Sequence, residues 1–198
     1  MLKKYKVLVF ILVSAAILAA CGNGGFKADH NWEVQDFSYT NQNNETVSLD
    51  DLKGKVWLAD FIFTNCETVC PPMTYNMTLL QEKLKEKGIE DYRIVSFSVD
   101  PEVDTPEALS EYISKYDADT SKWDLLTGYT QDHISTFAEK SFKSLVADDP
   151  NTDQVVHQTS FYLVNQEGVT VKSYTGYEDV PFDQIALDME ALIEEGKD

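Results

Sequence analysis

Lys55-Val-Trp-Leu-Ala-Asp-Phe-Ile-Phe-Thr-Asn-Cys-Glu-Thr-Val-Cys-Pro-Pro-Met73 passes from an apolar run to a pair of cysteines and then to a pair of prolines. Val56 to Phe63 is rich in β-branched and aromatic residues and bears the signature of a buried strand. The run breaks at Thr64-Asn65, and Cys66 and Cys70 follow four residues apart. Pro71 and Pro72 suit the first turn of a helix, where the N–H groups have no intrahelical partner to lose. Met73, Met77, Leu80 and Leu84 then recur at helical spacing. A strand thus delivers two thiols to the start of a helix. Free backbone N–H groups and the helix dipole favour a thiolate at that place. The junction is the candidate active site.

Downstream, Tyr92 to Val99 forms a second apolar strand ending at Asp100-Pro101. Asp104-Thr105-Pro106-Glu107 carries helix-start chemistry: a capping side chain, proline in the first turn and an early acid. That helix is expected to reach about Tyr116, with Leu109, Tyr112 and Ile113 on its apolar face. Trp123 to Tyr129 is a shorter strand, and Ile134, Phe137, Ala138 and Phe142 mark another helix. Ser160–Val164 and Val169–Tyr174 flank Asn165-Gln166-Glu167-Gly168, a hairpin turn closed by glycine. Phe182, Ile185, Ala186, Met189, Leu192 and Ile193 line a last helix. Upstream, Trp32 to Leu52 alternates weakly around Asn41-Gln42-Asn43-Asn44 and predicts a hairpin ahead of the main fold. The order predicts an α/β domain over residues 32–198, with helices on a mostly parallel sheet. A dithiol at the first strand-to-helix junction fits the place where open α/β sheets put their sites.

The 198 residues suffice for one domain with a substantial core. Acidic residues outnumber basic ones 34 to 16, a formal charge of -18, which argues against a nucleic-acid partner. Lys3, Lys4 and Lys6 precede an uncharged run from Val7 to Ala20 and then Leu18-Ala19-Ala20-Cys21. A basic start, an apolar stretch and small residues at a junction predict a secretory signal over residues 1–20. The run is shorter than the roughly 20 residues that span a bilayer. The junction resembles the bacterial lipobox, which implies that Cys21 becomes the lipid-modified first residue, followed by a flexible tether over 21–31. The mature chain would keep 13 basic against 34 acidic residues, or -21. With Cys21 carrying lipid, Cys66 and Cys70 are the remaining thiols. A pair so close cannot staple distant parts of a secreted fold, so a functional pair is expected.

Two thiols at a helix start can form a disulfide, one helical turn bringing them within reach, or chelate a soft metal. His157, just before the hairpin, lies on the segment that returns beside the Cys loop in a thioredoxin-type sheet. Two thiolates and one imidazole make a ligand set suited to copper in either oxidation state. The plainer reading of His157 is a polar loop histidine. Asp100, at the end of the second strand, either approaches the thiols or only starts the turn before Pro101. His30 and His133 have no cysteine neighbour and are read as non-ligands, and the acidic loop at Asp148, Asp149 and Asp153 as solvated.

Cys66-Glu67-Thr68-Val69-Cys70-Pro71, then Ser98-Val99-Asp100-Pro101-Glu102-Val103-Asp104-Thr105-Pro106-Glu107, then His157 before a strand, resemble the Sco/SenC family, named for synthesis of cytochrome c oxidase. The resemblance runs from about Asp36 to the C-terminus. It implies a thioredoxin-like fold with the N-terminal β-hairpin as an extension. It also implies copper, as Cu(I) or Cu(II), on Cys66, Cys70 and His157. The implied role is assembly of the dinuclear CuA centre of cytochrome c oxidase subunit II, by a lipid-anchored protein on the outer face of the membrane. Two activities fit. A metallochaperone would pass copper by ligand exchange. A thiol–disulfide reductase would reduce the CuA-ligand cysteines of the oxidase subunit. A peroxiredoxin-type peroxidase would carry threonine three residues before its attacking cysteine, where this chain has Phe63.

Overall fold

The computed structural model describes residues 26–150, 152 and 154–197. The expected signal segment, the lipidated Cys21 and the first part of the tether lie outside the described residues. Phe26 to Asn31, expected to end the tether, lie along the domain instead. The Phe26 amide donates to Glu195 Oε1 at 3.1 Å, and the amides of Asp29 and His30 both donate to the Val171 carbonyl.

In chain order the elements are β1 (Trp32–Glu33), β2 (Ser38–Asn41), β3 (Thr46–Ser48), α1 (Leu49–Leu52), β4 (Val56–Ile62), α2 (Cys70–Glu86), β5 (Tyr92–Ser98), α3 (Pro106–Ile113), β6 (Trp123–Thr127) and α4 (Gln131–Phe142). Then follow β7 (Val146–Asp148), β8 (Val155–His157), β9 (Ser160–Val164), β10 (Val169–Thr175) and α5 (Phe182–Glu195). Eight strands form one sheet in the order β1-β10-β9-β4-β5-β6-β2-β3, and β7 and β8 pair by themselves as a ribbon.

All seven residues of β4 are buried, as a run apolar except at Asp60 requires of a strand covered on both faces. Helical crossovers make β4–β5 and β5–β6 parallel. Every other pairing described in the sheet is antiparallel. The expectation of a mostly parallel sheet is therefore corrected to a mixed one. Alternating strands and helices announce the crossovers but do not say where the hairpins dock. The β9–β10 hairpin adds to one side of the parallel trio through β9, and the β2–β3 hairpin to the other through β2. The turn between β9 and β10 ends at Gly168, whose φ of 79° is the left-handed conformation that glycine adopts without strain.

Phe142 of α4 meets Trp57 and Phe61 of β4, Phe97 of β5 and Tyr162 of β9, so α4 seals one face of the sheet with an aromatic cluster. The other face takes α2, α3 and α5. Thr74 of α2 and Tyr112 of α3 share a hydroxyl hydrogen bond of 2.6 Å, and α5 packs on α2 and β4. On α2, Cys70, Met73, Met77, Leu80 and Leu84 are all buried, so Cys70 is the first member of the apolar stripe.

Candidate metal centre

The site is assembled where β4 leaves the sheet. The last rung there is Val99 N–H donating to the Ile62 carbonyl. Beyond it the chain turns, with the Cys66 amide donating to the Phe63 carbonyl at 3.3 Å. This turn carries Cys66 back over the start of α2. The Cys70 amide, free because it opens the helix, donates to Cys66 Sγ at 3.3 Å. Proline at the next two positions leaves the first turn without competing donors.

His157 arrives from the other direction, as the last residue of β8. Its Nε2 lies 3.3 Å from Cys70 Sγ, and its Nδ1 lies 3.0 Å from the Gln158 carbonyl. With Nδ1–H donating to that carbonyl, Nε2 is the nitrogen left with a lone pair facing sulfur. The Phe63 ring stands edge-on to the imidazole, 5.9 Å between centroids. Gln154 Nε2–H donates to the Asn65 carbonyl at 3.3 Å, tying the approach to β8 to the Cys loop. One ligand atom each from Cys66, Cys70 and His157 lies within 4.8 Å of the others. Cys70 and His157, 87 positions apart in sequence, thus converge with Cys66 on a group able to bind a metal ion. Two soft thiolates and a borderline nitrogen are the donor chemistry of copper.

The two thiols are free and unlike. Cys66 retains 7 % of its surface and Cys70 none. The Cys70 thiol, donating toward Cys66, holds its pKa well below that of an ordinary thiol against the opposing cost of burial, and contacts with His157 and with the Cys70 and Thr68 amides act in the same direction. Burial, joined by the neighbouring Cys66 sulfur, pushes Cys70 the other way. The two sulfurs are thus biased in opposite directions, the outer toward thiolate and the inner toward thiol.

Two carboxylates near the centre, Asp60 and Asp104, were not read as site residues from the sequence. Asp60, in mid-β4, is wholly buried. Ser96 Oγ–H donates to its Oδ1, while Oδ2 is a buried oxygen with no hydrogen-bond partner. Burial pushes its pKa up to about 6, with the Ser96 hydrogen bond and the His157 charge opposing. An acid inside an apolar run was the signal available in the sequence. Asp104 is also fully buried, and takes donors from Thr64 and Ser98. Asp100 sits at the turn after β5; its amide donates to Ser98 Oγ at 3.1 Å, and its carbonyl accepts from the Val103 and Asp104 amides. It is not among the three residues grouped as metal ligands. His30 stacks on Trp32, and His133 Nε2 meets the Tyr39 hydroxyl at 2.6 Å.

A thioredoxin-like domain whose helix-start dithiol is completed by a distant imidazole defines a class of metal-binding proteins. Residues 27–194 match the SCO1/SenC family model. The chain belongs to that family. A SCO1/SenC family lipoprotein from Bacillus anthracis is 50% identical with a TM-score of 0.79, covering 82% of this chain and 95% of its own. BsSco, described as a member of the Sco family of cytochrome c oxidase assembly proteins with a disulfide switch, is 51% identical with a TM-score of 0.78, covering 84% and 98%. ScoI of Arabidopsis thaliana, solved with copper bound, is 26% identical with a TM-score of 0.66, covering 82% and 97%. Among the described residues no helix is long and apolar enough to cross a membrane.

Proposed function

We propose that the protein is a copper metallochaperone that helps to assemble the CuA centre of cytochrome c oxidase subunit II, holding copper on Cys66, Cys70 and His157. The observation that carries this reading is the convergence of two sulfurs and one imidazole nitrogen within 4.8 Å. Copper would pass by ligand exchange, donor and acceptor ligands briefly sharing the metal. The test is a Cu(II) titration of the reduced fragment from Phe26 onward, followed by absorption. The expected result is one equivalent bound tightly with intense thiolate-to-copper bands. In His157→Ala the bands should weaken and the affinity fall at least tenfold. Unchanged affinity and bands in His157→Ala would remove the histidine from the ligand set.

The unlike thiols favour a second activity on the same residues, reduction of the recipient's copper-ligand cysteines. Cys66 thiolate would attack one sulfur of the recipient's disulfide, forming a mixed disulfide and releasing one thiolate. Cys70, on losing its proton, would attack Cys66 sulfur and release the second thiolate. Two electrons move to the recipient and the Cys66–Cys70 disulfide remains. Cys70→Ser should then accumulate the mixed disulfide with the oxidase subunit, whereas Cys66→Ser should not. Rapid oxidation of the wild-type dithiol by Cu(II) without a stable complex would shift the principal role to this reaction.

The lipid anchor on Cys21 and attachment to the outer membrane face rest on Leu18-Ala19-Ala20-Cys21 and on the lipoprotein name of the Bacillus anthracis relative. Cys21→Ser should release the protein from membranes.

A further inference from the structure

The Asp-Pro-x-x-Asp stretch after β5 holds two aspartates, and Asp104 reaches the dithiol loop. Three donors converge on its carboxylate. Thr64 supplies its amide at 3.1 Å and its hydroxyl at 2.6 Å to Oδ1, and Ser98 supplies its hydroxyl at 2.6 Å to Oδ2. The ordinary use of an acid just before a helix is to cap it, but here the adjacent Thr105 accepts from the Ala108 amide and fills that role. Asp104 is freed to turn inward, where it has no exposed surface. A carboxylate taken out of water is tolerated only with its oxygens bonded.

Thr64 is the position where this matters. The ladder of β4 ends at Ile62, so the Thr64 amide projects beyond the last rung. Asp104 supplies the acceptor that the sheet no longer does. It thereby fixes the point at which the chain leaves the sheet. The next turn, Phe63 to Cys66, sets Cys66 Sγ over the Cys70 amide. Ser98, held by the same carboxylate, also accepts from the Asp100 amide, so the Cys loop and the loop after β5 are bound to one group.

We propose that Asp104 is a positioning residue for the Cys66–Cys70 pair, acting through Thr64 to hold the Cys66 turn in register with the start of α2. The copper side of its consequence rests on the reading of Cys66, Cys70 and His157 as ligands; the hold on the dithiol does not. Asparagine preserves the essential part of the clamp, because its carbonyl oxygen can accept from Thr64 while its amide turns to the Ser98 hydroxyl. Alanine cannot.

The experiment compares wild type with Asp104→Ala, Asp104→Asn and Thr64→Val as reduced, metal-free proteins. Amide exchange at Thr64 and Cys66 should quicken at least tenfold in Asp104→Ala and stay within about threefold of wild type in Asp104→Asn, with Leu58 and Val95 unchanged in both. The equilibrium constant of the Cys66–Cys70 couple against glutathione should shift at least tenfold in Asp104→Ala and within twofold in Asp104→Asn. Should Asp104→Ala fail to fold, Thr64→Val carries the test, with a shift of at least threefold expected. Loop amides that exchange as in wild type, or a loosened loop with an unmoved dithiol equilibrium, would overturn the proposal. Copper affinity is measured last on each variant. A wild type that takes up no copper would sink the ligand reading and leave the metal-free result on Asp104 standing.

Discussion

Asp60 is the one charged residue of β4, and its Oδ2 has no hydrogen-bond partner. Its folded pKa of about 6 exceeds the ordinary carboxyl value of 3.8. Between those values the folded state binds more protons than the unfolded chain, so stability falls as pH rises and the loss is complete above the folded value. The difference corresponds to about 3 kcal/mol. Asp60→Asn should abolish that component. Denaturant unfolding of the reduced, metal-free protein at pH 4.5 and pH 7.5 should show the variant gaining about 2 kcal/mol relative to wild type across the interval. Equal pH dependence in the two proteins would mean that folding does not raise the Asp60 pKa.

At the scale of elements, Phe142 joins α4 to three strands by ring contacts with Trp57, Phe61, Phe97 and Tyr162. Phe142→Ala should cost about 3–5 kcal/mol in denaturant unfolding, because the surrounding strands cannot close on the cavity. The elements that were legible in the sequence share a strong period or a hard stop. β4 announced itself by a run apolar except at Asp60, and α2 by its stripe behind two prolines. The helix expected to reach Tyr116 ends at Ile113, since Tyr116 follows in turns that keep the helical direction without its ladder. The β7–β8 ribbon was not legible at all. Its strands are three residues long and joined by an acidic loop, so neither carries a countable alternation. The three residues that converge at the candidate centre, Cys66, Cys70 and His157, were legible through motif resemblance and Cys spacing. Asp104 was hidden because its neighbours supply an ordinary helix-start pattern, and only tertiary structure shows that Thr105 takes the cap.

For the molecule as a whole, the two cysteines belong to the sheet's central junction and His157 to a ribbon outside that sheet. A metal bound by all three ties the ribbon to the core and favours the folded state by mass action. At a free copper concentration about one hundred times the dissociation constant, the gain should be about 2.7 kcal/mol. A domain of this size should then melt roughly 5–11 °C higher, and a chelator should reverse the shift. His157→Ala should lose most of the increase. No shift in a protein that binds copper stoichiometrically would mean that unfolded chain holds the metal equally well.

The unequal burial of the ligands also sets a direction. Cys70 is sealed, Cys66 barely reaches the surface, and His157 is partly open on its ribbon. On the proposed reading, an acceptor's side chain would meet the metal from the ribbon side. The imidazole would then be the first bond to be replaced, the outer sulfur the second, and the inner sulfur the last to let go. Delivery so ordered would run as a series of single substitutions, with the ion never released to water between one owner and the next.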